Sequence, residues 1–312
     1  MKIAVTGALG HIGSGLIRDL PTHFPGAEIV MIDNLMTQRY ASLFNLPDKG
    51  RFRFIEADVR AIDLKPLFAG AQAVVHLAAI TDAAGSFGKA AEVEANNYGA
   101  TEKVAAACLE AGTPLIHLSS TSVYGTQSAL VAEDCPPDDL KPQSPYAETK
   151  LREESLVANL AGKSLRAVSC RFGTIFGPSP GMRFHTAVNK FCWQAVMGQP
   201  LTVWSTAYDQ KRPYLDLGDA VRALAFIIGN GVFDGRTYNV LTLNATVRDI
   251  VGAIRGRLPD LAISLVDSPI MNQLSYEVSA QRFVDRGFVF TGDLRRGIDS
   301  TISLIRTAHG RG

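Results

Sequence analysis

The sequence predicts an α/β fold: a doubly wound parallel sheet of the Rossmann type, followed by a smaller, interrupted C-terminal lobe. Three observations carry this. Short β-branched runs alternate with helix-like stretches through the first half of the chain. Those runs are nearly continuously apolar, as strands covered on both faces are. A glycine-rich turn joins the first strand to the first helix.

In chain order, residues 3–5, 28–32, 52–56, 73–77 and 115–118 read as buried strands. Residues 12–20 read as a helix ended by Pro21, whose ring and missing N–H oppose continuation. Residues 90–111, rich in Ala and Glu, predict a long helix with Gly112 as its C-cap. From about residue 174 the rhythm loosens around Gly177-Pro178-Ser179-Pro180-Gly181. Further on, residues 220–228 and 247–257 read as helices and 238–241 as a returning strand. No internal repeat, low-complexity segment or long linker interrupts the chain.

A chain of 312 residues is long enough for one large domain or two modest ones. Its formal net charge is +1, without long runs of like charge, so no nucleic-acid surface is advertised. The longest apolar stretches, such as 223–228, fall far short of the roughly 20 residues that span a bilayer. Lys2 leads directly into the first strand, without the apolar region of a secretory signal. Cys108, Cys135, Cys170 and Cys192 are scattered, as reduced thiols in a cytoplasmic protein would be, and no metal ligand set is expected.

The turn Thr6-Gly7-Ala8-Leu9-Gly10-His11-Ile12-Gly13 has G-x-x-G-x-x-G spacing. Glycines there let the backbone approach a pyrophosphate, while the helix N-terminus offers unpaired N–H groups and a positive dipole end. Asp33 ends the second strand 20 positions after Gly13, where a carboxylate holds adenine-ribose hydroxyls and repels a 2′-phosphate. NAD is therefore expected over NADP, with Arg39 nearby read as a solvated side chain. Asp58-Val59 closes the third strand, where a polar group can meet the adenine amino group or serve only as a loop aspartate.

Ser144-Pro145-Tyr146-Ala147-Glu148-Thr149-Lys150 opens a helix: Ser144 suits the N-cap and Pro145 the first helical position. Tyr146 and Lys150, four apart, share one helix face. An ammonium beside a phenol favours phenolate, and such a tyrosine can take a proton from a hydroxyl as hydride leaves the same carbon. The serine-rich segment Ser119-Ser120-Thr121-Ser122-Val123-Tyr124-Gly125 lies at the carboxyl end of a strand, where open α/β sheets bind ligands.

Together these segments resemble the extended short-chain dehydrogenase/reductase family, above all its NAD-dependent nucleotide-sugar epimerases and dehydratases. The resemblance continues through His76-Leu77-Ala78-Ala79, Asn97, Arg171-Phe172-Gly173-Thr174-Ile175-Phe176-Gly177-Pro178 and Lys211-Arg212-Pro213-Tyr214-Leu215-Asp216. It implies tightly held NAD, with Ser120, Tyr146 and Lys150 as catalytic group: Tyr146 the base, Lys150 on the nicotinamide ribose, Ser120 on the reacting sugar oxygen. It implies a cofactor site of Gly7, Gly10, His11, Ile12, Gly13, Asp33, Asn34, Asp58, Val59, Leu77, Ala78, Ala79 and Asn97. It implies a substrate site of Thr81, Thr121, Ser122, Thr174, Arg183, Asn189 and Arg212. Residues 1–173 plus about 214–243 would hold the dinucleotide, and about 174–213 plus 244–312 the substrate. A homodimer through the helix at 90–111 and the helix bearing Tyr146 is also implied.

Dehydratases and decarboxylases of this family resemble one another in carrying acids where this chain has Thr121 and Ser122. Water elimination needs a protonated group near the leaving hydroxyl, and neither residue supplies one near neutral pH. Epimerisation of a nucleotide sugar at C4, through a transient keto intermediate, is the expected reaction. Net NAD-dependent oxidation or reduction of a sugar or sugar nucleotide uses the same group and is the alternative, with dehydration behind it. A nucleotide-sensing protein without chemistry would have little reason to keep Ser120, Tyr146 and Lys150 together. Three departures bear on the substrate: Thr174 stands where epimerases often carry asparagine, Pro213 follows Arg212 in place of aspartate, and Met271-Asn272-Gln273 stands where a second arginine is usual. Pyrophosphate binding then rests on Arg212 plus another cation, and Arg183 is the candidate. His76 and His117 read as core histidines, His185 as a thin candidate, Phe191, Trp193, Trp204 and Tyr208 mostly as core, and Asp216 and Asp219 as packing or capping groups.

Overall fold

The computed structural model describes residues 1–83, 85–125, 130–267 and 275–309. The first half builds β1 (Lys2–Thr6), α1 (His11–His23), β2 (Glu28–Asp33), β3 (Arg51–Glu56), α2 (Lys65–Phe68), β4 (Ala73–His76), α3 (Ala90–Ala111) and β5 (Leu115–Ser120). After a short β6 (Leu130–Val131) come α4 (Pro145–Ala161), β7 (Ala167–Phe172), β8 (Thr174–Phe176), α5 (Ala187–Val196), β9 (Leu201–Trp204), β10 (Lys211–Asp216), α6 (Leu217–Asn230) and β11 (Thr237–Val240). The chain closes with β12 (Leu243–Thr246), α7 (Val247–Arg255), β13 (Ile263–Val266), β14 (Glu277–Val278), α8 (Gln281–Val284) and α9 (Leu294–His309).

The main sheet has seven parallel strands in the order β11-β7-β5-β4-β1-β2-β3. The chain runs outward from β1 through β2 to β3, then returns to place β4 on the other side of β1. That reversal is the topological switch point of a doubly wound sheet, and the glycine turn leaves β1 beside it. Apolar side chains cover both faces: Leu16, Ile17, Leu224 and Ile227 belong to the core on one side, Val104, Cys108 and Val157 to that on the other. A separate apolar cluster under α5, α7 and α9 (Phe176, Phe191, Ile250, Ile254, Ile298, Ile302) makes the smaller lobe. There β10 pairs with β8 and β12, and β9 with β13.

Three details differ from the sequence reading. The helix α1 runs through Pro21 to His23, because a proline in the last turn forfeits one hydrogen bond while Leu20 O still accepts from Phe24 N–H. The strand β3 is not buried throughout: as the edge strand it exposes Arg51, Arg53 and Glu56 and turns Phe52 and Phe54 partly inward. The helix starting at Val247 ends at Arg255 rather than 257. Gly112 does cap α3, in the left-handed region at φ 64°. Asp216 caps α6, its side chain accepting from the Gly218 and Asp219 N–H groups.

Candidate active site

The glycine turn shows why glycine is needed at two places. Gly7 has φ +64°, and a Cβ there would stand 2.6 Å from Ala78 N. A Cβ on Gly13 would stand 2.4 Å from Gly7 O. Gly10 is different: its missing side chain leaves cavity space, 3.3 Å from Gly7 O and 3.8 Å from Arg39 Nη1. Gly10 is also the N-cap of α1, which has neither a side-chain cap nor an acid in its first turn. An uncapped helix end under a glycine cradle fits a pyrophosphate, so the residues present suit NAD.

Asp33 is set by the same turn: Oδ2 accepts from Leu9 N–H at 3.0 Å and Oδ1 from Leu35 N–H at 2.9 Å. Asn34 Oδ1 accepts from Met36 N–H at 3.1 Å. Asp58 is bound by Arg60, whose Nη2 donates to Oδ2 at 2.6 Å, and this hydrogen bond leads the causes that hold the carboxyl below its usual range. Ile12, Val59, Leu77, Ala78 and Ala79 line the same cavity. His11 places Nε2 2.7 Å from Gly177 O; a carbonyl only accepts, so Nε2 carries the proton and Nδ1 is a buried acceptor without a partner. Burial, then the neighbouring Arg183 and Arg39, holds His11 at about 3, against the pull of the Gly177 bond.

A cavity of about 620 Å³ joins this cradle to Ser120, Tyr146 and Lys150 and to Thr81, Thr121, Ser122, Thr174, Arg183 and Arg212. Ser144 caps α4 by accepting from Ala147 N–H at 3.2 Å, which starts the helix where Tyr146 and Lys150 turn one face to the cavity. Lys150 Nζ lies 6.0 Å from the centre of the Tyr146 ring. Across from them, Ser120 Oγ accepts from Ser122 N–H at 3.1 Å and Ser122 Oγ–H at 2.9 Å, which keeps its own proton to give. Thr121 turns inward and donates to Phe172 O at 3.2 Å. Thr174 opens β8 beside Tyr214 of β10, and the Arg212 guanidinium stacks 4.8 Å from the Tyr276 ring centre.

Arg183 is half-buried, donates from Nη1 to Thr81 Oγ1, and has its Nε shut from water without a partner. Burial pushes its pKa down, and the nearby Arg39 adds to this against the fields of Tyr146 and Asp82. Among the described residues it makes no ion pair. Two predicted residues do not line the cavity. Asn97 clamps the loop after β4, accepting from Ile80 N–H at 2.8 Å and donating to Ile80 O at 2.9 Å. Asn189 accepts from Gly177 N–H and donates to Arg183 O, both at 3.2 Å, so it shapes the chain that carries Arg183. Met271-Asn272-Gln273 lies outside the described residues.

The segment from Gly177 to Arg183 crosses directly over the glycine turn. Ser179 Oγ–H donates to His11 O at 2.9 Å, Gly181 N–H donates to Ser14 Oγ at 2.9 Å, and a Cβ on Gly181 would stand 2.2 Å from Leu9 O. The sequence does not announce this strap, nor Asp82 and Tyr276, which also line the cavity; Arg39, expected as a solvated side chain, lines it too. It also passed over Glu153, although its spacing, three positions after Lys150 on one helix, was a usable sign. His76 and His117 are buried, as expected.

Comparison with known proteins agrees with this geometry. An uncharacterized UDP-glucose epimerase of Bacillus subtilis (strain 168), YtcB, is 31% identical over 249 residues, covering 77% of this chain and 76% of that protein. The trifunctional UDP-glucose 4,6-dehydratase/UDP-4-keto-6-deoxy-D-glucose 3,5-epimerase/UDP-4-keto-L-rhamnose-reductase RHM1 of Arabidopsis thaliana is 29% identical over 318 residues, 96% of this chain but only 46% of that protein. The solved structure of a UDP-glucuronic acid 4-epimerase from Bacillus cereus, in complex with UDP-glucuronic acid and NAD, superposes with a TM-score of 0.89 at 27% identity, covering 99% of this chain and 100% of that one. A family model described as the NAD dependent epimerase/dehydratase family matches residues 3–240, and with the glycine cradle, the parallel sheet and the Tyr146/Lys150 face in place, the chain belongs to that family.

Proposed function

We propose that this protein is an NAD-dependent epimerase that inverts C4 of a nucleotide sugar through a transient 4-keto intermediate. The observation that carries this reading is the cavity itself. It runs from the glycine cradle to Ser120, Tyr146 and Lys150, and it offers two hydroxyls, Thr121 and Ser122, where an eliminating enzyme needs an acid. The same two residues weigh against the dehydratase activity in the name of the plant relative.

Bound NAD supplies a reversible hydride acceptor. Tyr146 takes the proton of the C4 hydroxyl and later returns it, so one group serves both directions. Ser120 donates to the reacting oxygen and steadies it as its carbon becomes a carbonyl. Lys150 fixes the cofactor ribose and favours the charged phenol. Gly7, Gly10, His11, Ile12, Gly13, Asp33, Asn34, Asp58, Val59, Leu77, Ala78 and Ala79 form the cofactor site, with Asn97 acting through the loop it clamps. Thr81, Thr121, Ser122, Thr174, Arg183 and Arg212 form the substrate site, with Asn189 behind Arg183. We assign 1–173 plus about 214–243 to the cofactor and about 174–213 plus 244–312 to the substrate, a division supported by the separate apolar cluster under α5, α7 and α9, with Phe283 and Phe288 packing back into the sheet-domain core. Cytoplasmic residence and a homodimer through α3 and α4 complete the reading.

Expected on the pyrophosphate, Arg183 instead stands beside Thr81 and in the field of Tyr146, and this refines the substrate. A guanidinium beside Thr81, in the field of Tyr146 and with an idle Nε, calls for an anion at the sugar end of the cavity. A carboxylate at C6 meets that need, which favours a UDP-uronic acid over a neutral UDP-sugar, in keeping with the ligand named for the Bacillus cereus structure. The test incubates the protein with UDP-glucuronic acid, UDP-glucose and UDP-N-acetylglucosamine and follows product mass, retention and reduced-nicotinamide absorbance. An isomer of unchanged mass without accumulating reduced cofactor is expected, and Tyr146→Phe abolishes it. Arg183→Gln should cut kcat/KM for the uronic acid by about 10- to 100-fold, the value of a hydrogen-bonded charge, and leave the neutral sugars within a few-fold. A lighter product with stoichiometric reduced cofactor would sink the epimerase reading. Equal losses on all three sugars would sink the carboxylate assignment.

A further inference from the structure

Behind the catalytic lysine lies an acid that touches neither cavity nor solvent. Glu153 of α4 is fully buried, and its Oε2 collects three contacts from three elements. Lys150 Nζ donates to it at 2.8 Å, Thr101 Oγ–H of α3 donates at 3.0 Å, and His117 Nε2 of β5 stands at 2.9 Å. Its other oxygen, Oε1, has no partner. Because a carboxylate only accepts, it fixes the direction of every hydroxyl and ring behind it. Thr101 gives its proton to Glu153 and so accepts from His76 Nε2 at 3.2 Å. His76 Nδ1 then accepts from Thr6 Oγ–H at 2.7 Å, and Thr6 is the residue before Gly7. On the other side, His117 Nδ1 lies 3.2 Å from Ser169 Oγ. A single oriented chain thus runs from the cofactor turn to the ammonium of Lys150.

The charge matters as much as the direction. A lysine this deeply buried tends to lose its proton, because a dry site disfavours the charged form. Burial is the largest influence on Lys150, yet Glu153, aided by Tyr146 and Glu154, more than offsets it and leaves the pKa above the ordinary lysine value. The remaining titratable groups around the pair are the two histidines. Burial, Lys150 and His117 keep His76 at about 3, against the pull of Glu153, so His76 brings no positive charge to compete.

We propose that Glu153 is a positioning residue: it holds the buried Lys150 ammonium charged and in place, so that the charge is present before cofactor and substrate arrive. The inference rests on the assignment of Lys150 to the reacting group, and it goes beyond that assignment by naming what keeps the lysine competent. A purely structural Glu153 would hold the fold together without setting the pH at which Lys150 gives up its proton.

The experiment titrates the Lys150 ammonium by nuclear magnetic resonance of lysine-labelled protein, with the signal assigned through Lys150→Arg. It needs no substrate, so its outcome is separate from whether a nucleotide sugar is turned over. Removing a negative charge lowers the pKa of every neighbouring group. In Glu153→Gln, Lys150 should therefore deprotonate about 1 to 3 pH units lower than in the unchanged protein, the effect of losing one opposite charge at contact. The alkaline limb of the turnover profile should move down with it. His117→Gln keeps a donor to the same carboxylate and should leave the titration in place. Should Glu153→Gln not fold, Glu153→Asp, which withdraws the charge by one methylene, should move the midpoint the same way by a smaller step. An unmoved midpoint in whichever of these variants folds, or a shift in His117→Gln as large as that expected for Glu153→Gln, would overturn the proposal.

Discussion

At the scale of single residues, two imidazoles that line the cavity are kept neutral by burial. His11 and His76 are both buried, and both are held at about 3 by that burial. In the unfolded chain each would titrate near its ordinary value of about 6.5. Between those values the unfolded state binds more protons than the folded one, so stability rises with pH. Glu153 acts in the same direction at lower pH: Lys150 and His117 outweigh burial and hold it at about 2, and its contribution is present above its unfolded value and lost as pH falls towards 2. The melting temperature should therefore be flat above about pH 7 and fall steadily from about pH 6.5 to 5, as the two histidines come to bind protons only when unfolded. Differential scanning calorimetry across this range checks it, and a melting temperature that rises on acidification contradicts the neutral histidines.

Elements show where sequence was sufficient and where it was not. The local structure of the turn after β1 and of the start of α4 was legible, because each pattern lies within eight consecutive residues. Gly7 and Gly13 are needed for close backbone approach, Ser144 and Pro145 for starting a helix, Tyr146 and Lys150 for sharing a face. What escaped was made by elements distant in sequence. Lys150, His117 and Thr101 meet at Glu153 only because α3 and α4 pack against β4 and β5. Asn97 and Asn189 were read as ligand contacts, but each spends its amide on backbone, which no local pattern distinguishes from a binding role. Pro21 was read as a stop, although a proline in a final turn costs little.

At the largest scale, the long helices α3 and α4 present an exposed face. The helices α3 and α4 lie together on one face of the sheet, and both expose polar residues such as Glu94 and Arg152, which pair with each other. A second copy applied to this face would build a four-helix contact about a two-fold axis, the usual symmetry of soluble dimers. Sedimentation at micromolar concentration should give the mass of a dimer, and a monomer that retains full activity would remove this face from consideration. The smaller lobe has its own apolar core under α5, α7 and α9, and Phe283 and Phe288 of the same C-terminal stretch pack into the core of the sheet domain.

The strap has a thermodynamic consequence. Ser179 and Gly181 of the segment after β8 are bonded to His11 and Ser14 at the start of α1, and the same segment ends in Arg183. A ligand that orders one end of it therefore lowers the cost of ordering the other. Such coupling is reciprocal: whatever factor NAD gains in affinity from the nucleotide sugar, the sugar must gain from NAD. Titration calorimetry around the four-state cycle should find equal and favourable factors on both arms, roughly 5- to 150-fold for a coupling of 1–3 kcal/mol. Ser179→Ala, which cuts one staple, should bring both factors down together. Cofactor and substrate then behave as two halves of one ligand, each paying part of the other's cost of binding.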